Sequence, residues 1–430
     1  MRPYNLQKYH FFSTKANLLS ARELHRVGKN SRIMLIKTGK GTITLTALVA
    51  IWSISAIVSL PGLAVSPILD DIDKIFPKAG ELEVSMLESL PSLMIIPFML
   101  LAGRWSVKRN KIRMLVIGTS IFLLSGIGCM LSRTLLELII TSTILGIGAG
   151  IIIPLSTGFI VDYFTGNRRV RQLGISSAVN NLTLVVATTA VGYLADIEWH
   201  LAFAVYLLPA ITLLLIPALS HSRPEPEPSD GAQNRQTSLN RRMIAGLMLF
   251  YFAITYLSLI VTFNTSYLTE QSGMPSTDAG IIISLFFLAI MAPGFILDSI
   301  VRWLGKGVNL WSLIVMGIGL VIMSTPHPSF VRLSFGAILV GLGYGVMQPI
   351  IYDKAATNAP PHLATLALSL VMVVNYLAIL VAPFIIEIID KLFHTSSHEF
   401  AYLVNGVLSL VIALITLATF RHNRVLGSDD

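Results

Sequence analysis

Little in this chain is charged, and almost nothing in it is redox-active. Asp, Glu, Lys and Arg together make up 13% of the 430 residues, about half the share in a soluble domain, so much of the surface does not face water. The single cysteine, Cys129, lies inside an apolar run. That excludes a disulfide framework, and the thiol reads as a small core residue. No nucleophile–base constellation and no dense cluster of metal ligands is present, so the expectation is a non-enzyme without a metal or other cofactor. His394 and His398, four apart beside Glu399, have a spacing a metal accepts. They are an ordinary surface feature, and no metal site is assigned to them. A secretory leader is also missing: the first forty residues are basic, and the apolar segment behind them is too long for a cleaved core. Met34 is an alternative start, which leaves open whether residues 1–33 belong to the native protein.

Apolar sequence is plentiful. The chain is 54% hydrophobic, with a mean hydropathy of +0.73. Stretches long enough to cross a bilayer recur between polar breaks, among them Thr44–Leu69, Leu201–Leu219, Met243–Phe263 and Val331–Ile351. Twelve are counted, six on either side of a Pro/Glu/Ser-rich break at Ser220–Arg242 that reads as a flexible linker. The expected organisation is a basic tail (1–43), a six-helix bundle (44–219), the linker (220–242), a second bundle (243–420) and a short tail (421–430). The basic first tail is expected to be loosely ordered.

One pattern occurs twice. Gly146, Gly148, Gly150 and Pro154 are repeated 195 residues later as Gly341, Gly343, Gly345 and Pro349. Gly103 and Gly294, each closing an apolar segment, lie 191 residues apart. Two marks at nearly one offset imply two homologous halves. Glycines four apart share a helix face and permit a close crossing, while the two prolines are expected to kink their helices. A phosphate-cradling loop needs a strand before the glycines, and none is predicted, so nucleotide binding is excluded.

Charge placement tests the count of twelve. If the loops alternate, 26 of the 31 basic residues fall on one side, leaving Lys74, Lys78, Arg133, Arg332 and Lys391 on the other. Basic residues stay on the cytoplasmic side, which predicts both termini inside. The net charge of +8 therefore calls for no nucleic-acid partner.

The loop after the second segment reads GRWSVKRNKIR, Gly103–Arg113. With twelve segments in two sets of six around a polar linker, the chain resembles the major facilitator superfamily, whose signature here is Gly, three residues, Asp, a basic residue, any residue, Gly, then basic residues. Gly103, Lys108 and Lys111 match, whereas Val107 and Asn110 replace the Asp and the second Gly. The second copy, from Gly294, keeps Asp298 with Arg302 after it. The resemblance implies an all-α integral membrane fold of two six-helix bundles, and a cytoplasmic gate built from Gly103, Lys108, Arg109, Lys111, Gly294 and Arg302. Asp162 is the substitute partner for the missing Asp. Two marks of the drug/proton antiporter branch are absent. Ser142 stands where an Arg precedes the first glycine of the fourth helix, and the fifth helix lacks a Gly-Pro motif.

Polar side chains inside membrane segments are the best site candidates, because each costs free energy unless it is used or satisfied. They are Trp52, Ser53, Asn180, Asn181, Tyr251, Thr255, Tyr256, Tyr344, Gln348, Asn375 and Tyr376. Adjacent helical residues point about 100° apart, so at most one amide of the Asn180–Asn181 pair faces a cavity. By the resemblance, the helices carrying these residues border a central cavity. Acids are scarce: Thr44–Leu69 has none, and Glu88, Asp298 and Glu387 are the candidates for proton coupling. The resulting expectation is a secondary transporter of a small organic solute, working by alternating access as a monomer in the bilayer. Proton-coupled efflux of an amphiphile is the leading form. Uptake of a neutral metabolite is the alternative, and a non-transporting receptor a further one.

Overall fold

The computed structural model describes residues 35–39, 41–61, 72, 75–77, 81–221, 239–274, 276–326, 328–393 and 398–419. Among the described residues a short antiparallel hairpin, β1 (Leu35–Lys37) and β2 (Thr42–Thr44), precedes twelve α-helices. These are α1 (Leu45–Ala56), α2 (Glu81–Ser106), α3 (Lys111–Leu131), α4 (Leu135–Tyr163), α5 (Gly166–Ile197) and α6 (Pro209–His221). After the linker follow α7 (Arg241–Gln271), α8 (Ser276–Leu304), α9 (Val308–Met323), α10 (Phe330–Thr357), α11 (Ala364–Leu392) and α12 (His398–Thr419). Among the described residues nine helical stretches are long and apolar enough to cross a membrane, one of them joining α8 and α9.

Local chemistry sets the helix starts. The Thr44 hydroxyl accepts from the Ala47 amide at 3.2 Å, and Thr134 with Glu137 forms a capping box at α4. Asn110, which replaces the signature's second glycine, caps α3 by accepting from the Ile112 amide at 2.9 Å.

Several boundaries differ from those expected. The first helix ends at Ala56 rather than Leu69, and Ile57–Ser59 form a turn. Pro61 has no N–H to give the Ile57 carbonyl and disfavours a helical Leu60. The sixth segment opens as a 3₁₀ helix, Trp199–Leu207, and becomes α-helical only at Pro209, a residue suited to a first helical position. Several helices outrun their apolar spans, α7 and α10 among them. α7 continues to Gln271 because its polar residues are satisfied within the bundle, as where Thr265 meets the Tyr402 hydroxyl at 2.9 Å. α10 continues through Tyr352, Asp353 and Lys354, which the sequence reading assigns to a loop.

The basic tail is also more ordered near its end than expected. Thr38 is buried and gives its carbonyl to the Thr165 amide at 3.3 Å. Gly39 bridges Phe164 at the α4–α5 junction, with a φ of +98° that suits glycine. Residues 1–34, the centre of the linker and residues 420–430 lie outside the described set.

Packing within α1–α6 is echoed in α7–α12. α4 packs on α2 and α3 as α10 packs on α8 and α9, and α5 lies on α8 as α11 lies on α2. The glycine ladders explain the closest crossings. A Cβ on Gly148 would sit 2.7 Å from the Phe122 nitrogen of α3, and one on Gly343 would sit 2.6 Å from the Ser312 oxygen of α9. The outer glycines face the other neighbour: a Cβ on Gly150 would sit 2.9 Å from the Ile95 oxygen of α2, and one on Gly345 would sit 3.0 Å from Ile290 Cα of α8. Gly146 and Gly341 likewise meet Pro91 and Phe286. Only glycine allows these backbones to touch. α4 and α10 run on through Pro154 and Pro349.

Candidate functional site

A cavity of about 80 Å³ lies where α1, α4 and α5 meet α10 and α11. One wall carries small hydroxyls and an amide: Ser55, Ser59, Ser156, Thr157, Ser176, Ser177 and Asn180. The opposite wall carries Gln348, Tyr352, Asn375 and Tyr376, with Pro349 and Met372 between them. None of the lining side chains is charged.

Five members of the hydroxyl wall bond to one another. Ser176 donates to the Ser55 hydroxyl at 2.6 Å, and Ser55 and Ser156 are 3.2 Å apart. Asn180 holds the end of α1 from two directions. Its amide donates to the Ser59 hydroxyl at 2.7 Å, and its carbonyl accepts from the Ser59 N–H at 3.1 Å. The turn after α1 therefore supplies a backbone donor that a straight helix would keep to itself.

The other wall is a network of phenols and amides. Gln348 donates to the Tyr251 and Tyr352 hydroxyls at 3.1 and 3.3 Å. The two phenols are 2.7 Å apart, with rings edge to face. The Tyr344 hydroxyl donates to Asn375 at 3.3 Å and lies 3.4 Å from Tyr251. Across the seam Ser177 donates to the Gln348 carbonyl oxygen at 3.0 Å, which joins α5 to α10.

One end of the seam is shut. Call it the linker end, where α6 finishes and α7 begins. A Cβ on Gly174 of α5 would lie 2.8 Å from the Gly294 oxygen of α8, and one on Gly158 would lie 2.8 Å from the Thr365 hydroxyl of α11. Gly103 presses in the same way on Ser369 and Leu366 of α11. Arg169 of α5 pairs with Asp353 of α10 at 2.5 Å, with side chains only 13% and 19% exposed. This pair lies one residue beyond the cavity residue Tyr352, so the seam closes directly beneath the cavity.

Of the residues singled out from the sequence, Asn180, Gln348, Asn375 and Tyr376 line the cavity. Tyr251, Tyr344 and Thr255 stand behind it in the hydrogen-bond network. Asn181 donates to the Ser177 carbonyl of its own helix at 2.8 Å. Trp52 donates to Gln172 at 3.1 Å, Ser53 donates to the Ala50 carbonyl at 2.8 Å, and Tyr256 is buried on α7.

Among the gate residues, Lys111 pairs with Asp162 at 2.7 Å, while Lys108 and Arg109 are exposed. Asp298 pairs with Arg302, four residues on, at 3.0 Å, and Arg302 is 65% exposed. Glu88, Glu387 and His398 fall in helices, but their side chains lie outside the described set, as does all of His394.

The serines, Tyr352 and the Arg169–Asp353 pair escaped the sequence reading. A usable signal existed: Ser176 and Asn180 on α5, and Gln348 and Tyr352 on α10, are each four apart, one helix face apiece.

Long apolar helices around a polar cavity define a multi-pass membrane protein. Comparison with known proteins gives the family. The sequence profile of the Major Facilitator Superfamily matches residues 42–383, and the chain belongs to that superfamily, whose members are membrane transporters rather than enzymes. It is 24% identical over 257 residues to Multidrug resistance protein 1 of Bacillus subtilis, covering 58% of this chain and 66% of that protein. It is 26% identical to the Multidrug transporter protein MdtP of the same organism over 40% of that protein's length, so these matches span part of each relative. Quinolone resistance protein NorA of Staphylococcus aureus is 22% identical over 80% of this chain and 88% of its own. The solved proton:xylose symporter XylE shares the fold, with a TM-score of 0.69 at 15% identity, over 89% of this chain and 96% of that one.

Proposed function

We propose that this chain is a secondary transporter in the plasma membrane that moves a small neutral or cationic organic solute by alternating access, with efflux in exchange for protons as the working form. The observation that carries this reading is the uncharged cavity built jointly by α1–α6 and α7–α12, with its linker end closed beneath it. Phosphate esters and other strong anions normally recruit paired Arg or Lys, and the lining has none. Phenol faces and amides suit a cation or a neutral polar solute better. The names of the bacterial relatives, multidrug and quinolone resistance proteins, favour efflux.

A cavity of about 80 Å³ holds about three waters, whereas drug-sized sites start at about 300 Å³. The two six-helix units, 44–219 and 243–420, must therefore part to admit substrate. With both termini and the linker inside, as the basic-residue bias indicates, the closed linker end belongs to the outward-facing or occluded phase of the cycle. Lys111–Asp162 braces α3 against α4 within the first unit, and Arg169–Asp353 latches the two units together. Glu88 is the residue proposed to carry the coupling proton. Asp298 is the weaker choice, because Arg302 already holds it at the rim. The protein is proposed to work as a monomer.

Neutral-metabolite uptake is the second reading, favoured by the dense hydroxyl wall. Reconstitution in liposomes with an internal pH dye separates the two. Hydrophobic cations that release trapped protons, an effect lost in Glu88→Gln and kept in a surface control, support antiport. Solute flux without proton movement rejects it.

A further inference from the structure

The loop that departs from the family signature sits where two lipid-facing stripes end. On α2, Leu93, Pro97, Leu101 and Trp105 follow one another every four residues, all exposed, Leu93 at 44% and Trp105 at 41%. On α3, Arg113, Ile117, Leu124 and Leu131 share one face, the last two 67% and 72% exposed. Apolar residues exposed in such rows along a membrane helix face hydrocarbon. At the linker end both rows give way to cations: Arg104, Lys108 and Arg109 beside Trp105, and Arg113 on the neighbouring helix, all exposed.

No ion pair among the described residues includes any of these four. The Arg109 guanidinium lies 5.9 Å from the centre of the Trp105 ring. In the second copy of the loop the acid, Asp298, pairs with Arg302, whose counterpart eight residues after the glycine is Lys111, held in turn by Asp162. Val107 occupies the position of Asp298. With Val at that position the loop Gly103–Arg113 has no acid of its own, and the four cations form an unpaired positive cluster where the two apolar rows end, flanked by an indole.

We propose that Arg104, Trp105, Lys108, Arg109 and Arg113 form a binding site for the headgroup of an anionic phospholipid, whose acyl chains lie along the α2 and α3 stripes. The inference needs the chain to be in a membrane and does not depend on what it transports. The site holds a lipid rather than a free phosphate because its apolar rows continue directly from the cations.

Native mass spectrometry of the purified full chain, offered phosphatidylglycerol or phosphatidylcholine in mild detergent, tests it. The expected result is preferential retention of phosphatidylglycerol. That retention should fall at least about fivefold when Arg104, Lys108, Arg109 and Arg113 are all changed to Gln, and remain unchanged in Arg302→Gln. Val107→Asp removes no cation but adds an acid beside Lys108 and Arg109, and it should also lower retention. This variant decides the matter if the quadruple variant fails to fold. Equal retention of the two lipids, or retention unchanged in both variants, overturns the proposal. Displacement of the bound lipid by inorganic phosphate at matched concentration also overturns it, in favour of a small-anion site.

Discussion

Ser177 of α5 donates a hydrogen bond to the side-chain carbonyl of Gln348 on α10 at 3.0 Å, and Gln348 passes its own two protons to Tyr251 and Tyr352. One amide therefore ties three helices together across the seam that the proposed alternating access must open. Gln348→Ala leaves those hydroxyls short of partners. It should slow solute flux in proteoliposomes by about tenfold, the equivalent of one or two hydrogen bonds. Gln348→Asn, with a shorter reach, should lie between the two. Unaltered flux in both variants would remove Gln348 from the site.

Arg169 and Asp353 form the latch beneath the cavity. Asp353→Asn leaves a largely buried guanidinium unpaired. With exposures of 13% and 19%, the loss should be about 2 kcal/mol, below that of a fully buried pair. The linker end should then open more readily, read as faster labelling of a cysteine introduced at Thr365 in a Cys129→Ser background. The exchanged pair, Arg169→Asp with Asp353→Arg, should restore part of the closure. A double variant as open as the single one would count against the pairing.

The glycine ladders make opposite predictions from one residue type. Gly343→Ala places a methyl group against the α9 backbone at 2.6 Å and should cost about 1–3 kcal/mol, visible as a lower melting temperature. Gly280→Ala on α8 meets nothing within 4 Å and should leave stability unchanged or raise it by up to about 1 kcal/mol. Equal effects at the two positions would refute the close-packing explanation.

Gly39 holds the hairpin against the α4–α5 junction at a φ of +98°, with Thr165 pressed to it. Gly39→Val should release the hairpin without unfolding the bundle, at a local cost of about 1–3 kcal/mol. Limited trypsin digestion should then cut faster at Lys37, while the melting temperature of the helices stays put. A collapse of the whole fold would mean that the hairpin is integral to the core.

The membrane fold was largely legible, because its signals are long-range and redundant. Apolar runs, basic-residue bias and a repeat at a fixed offset each report on the whole chain. The site was legible only in part. Asn180 and Gln348 stood out as lone amides in apolar sequence. Ser55, Ser59, Ser156 and Ser176 did not, because a membrane helix commonly returns a serine hydroxyl to its own backbone, and only tertiary packing turns these toward one another. Tyr352 and Asp353 were hidden by a boundary. Their polarity reads as a loop, yet α10 continues because Arg169 and Tyr251 satisfy them. The turn after α1 followed from Pro61 and was missed because the apolar run continues past it. Order in the hairpin at residues 35–44 depends on a partner more than 100 residues away, Phe164, which no local pattern announces.

The most direct test of the account is flux of a fluorescent hydrophobic cation into or out of proteoliposomes containing the chain with Ser176→Phe, which fills the cavity between the two walls. The account predicts saturable flux by the unsubstituted protein and its near-complete loss in Ser176→Phe, with the melting temperature preserved. Full flux through a protein whose cavity has been filled would contradict it.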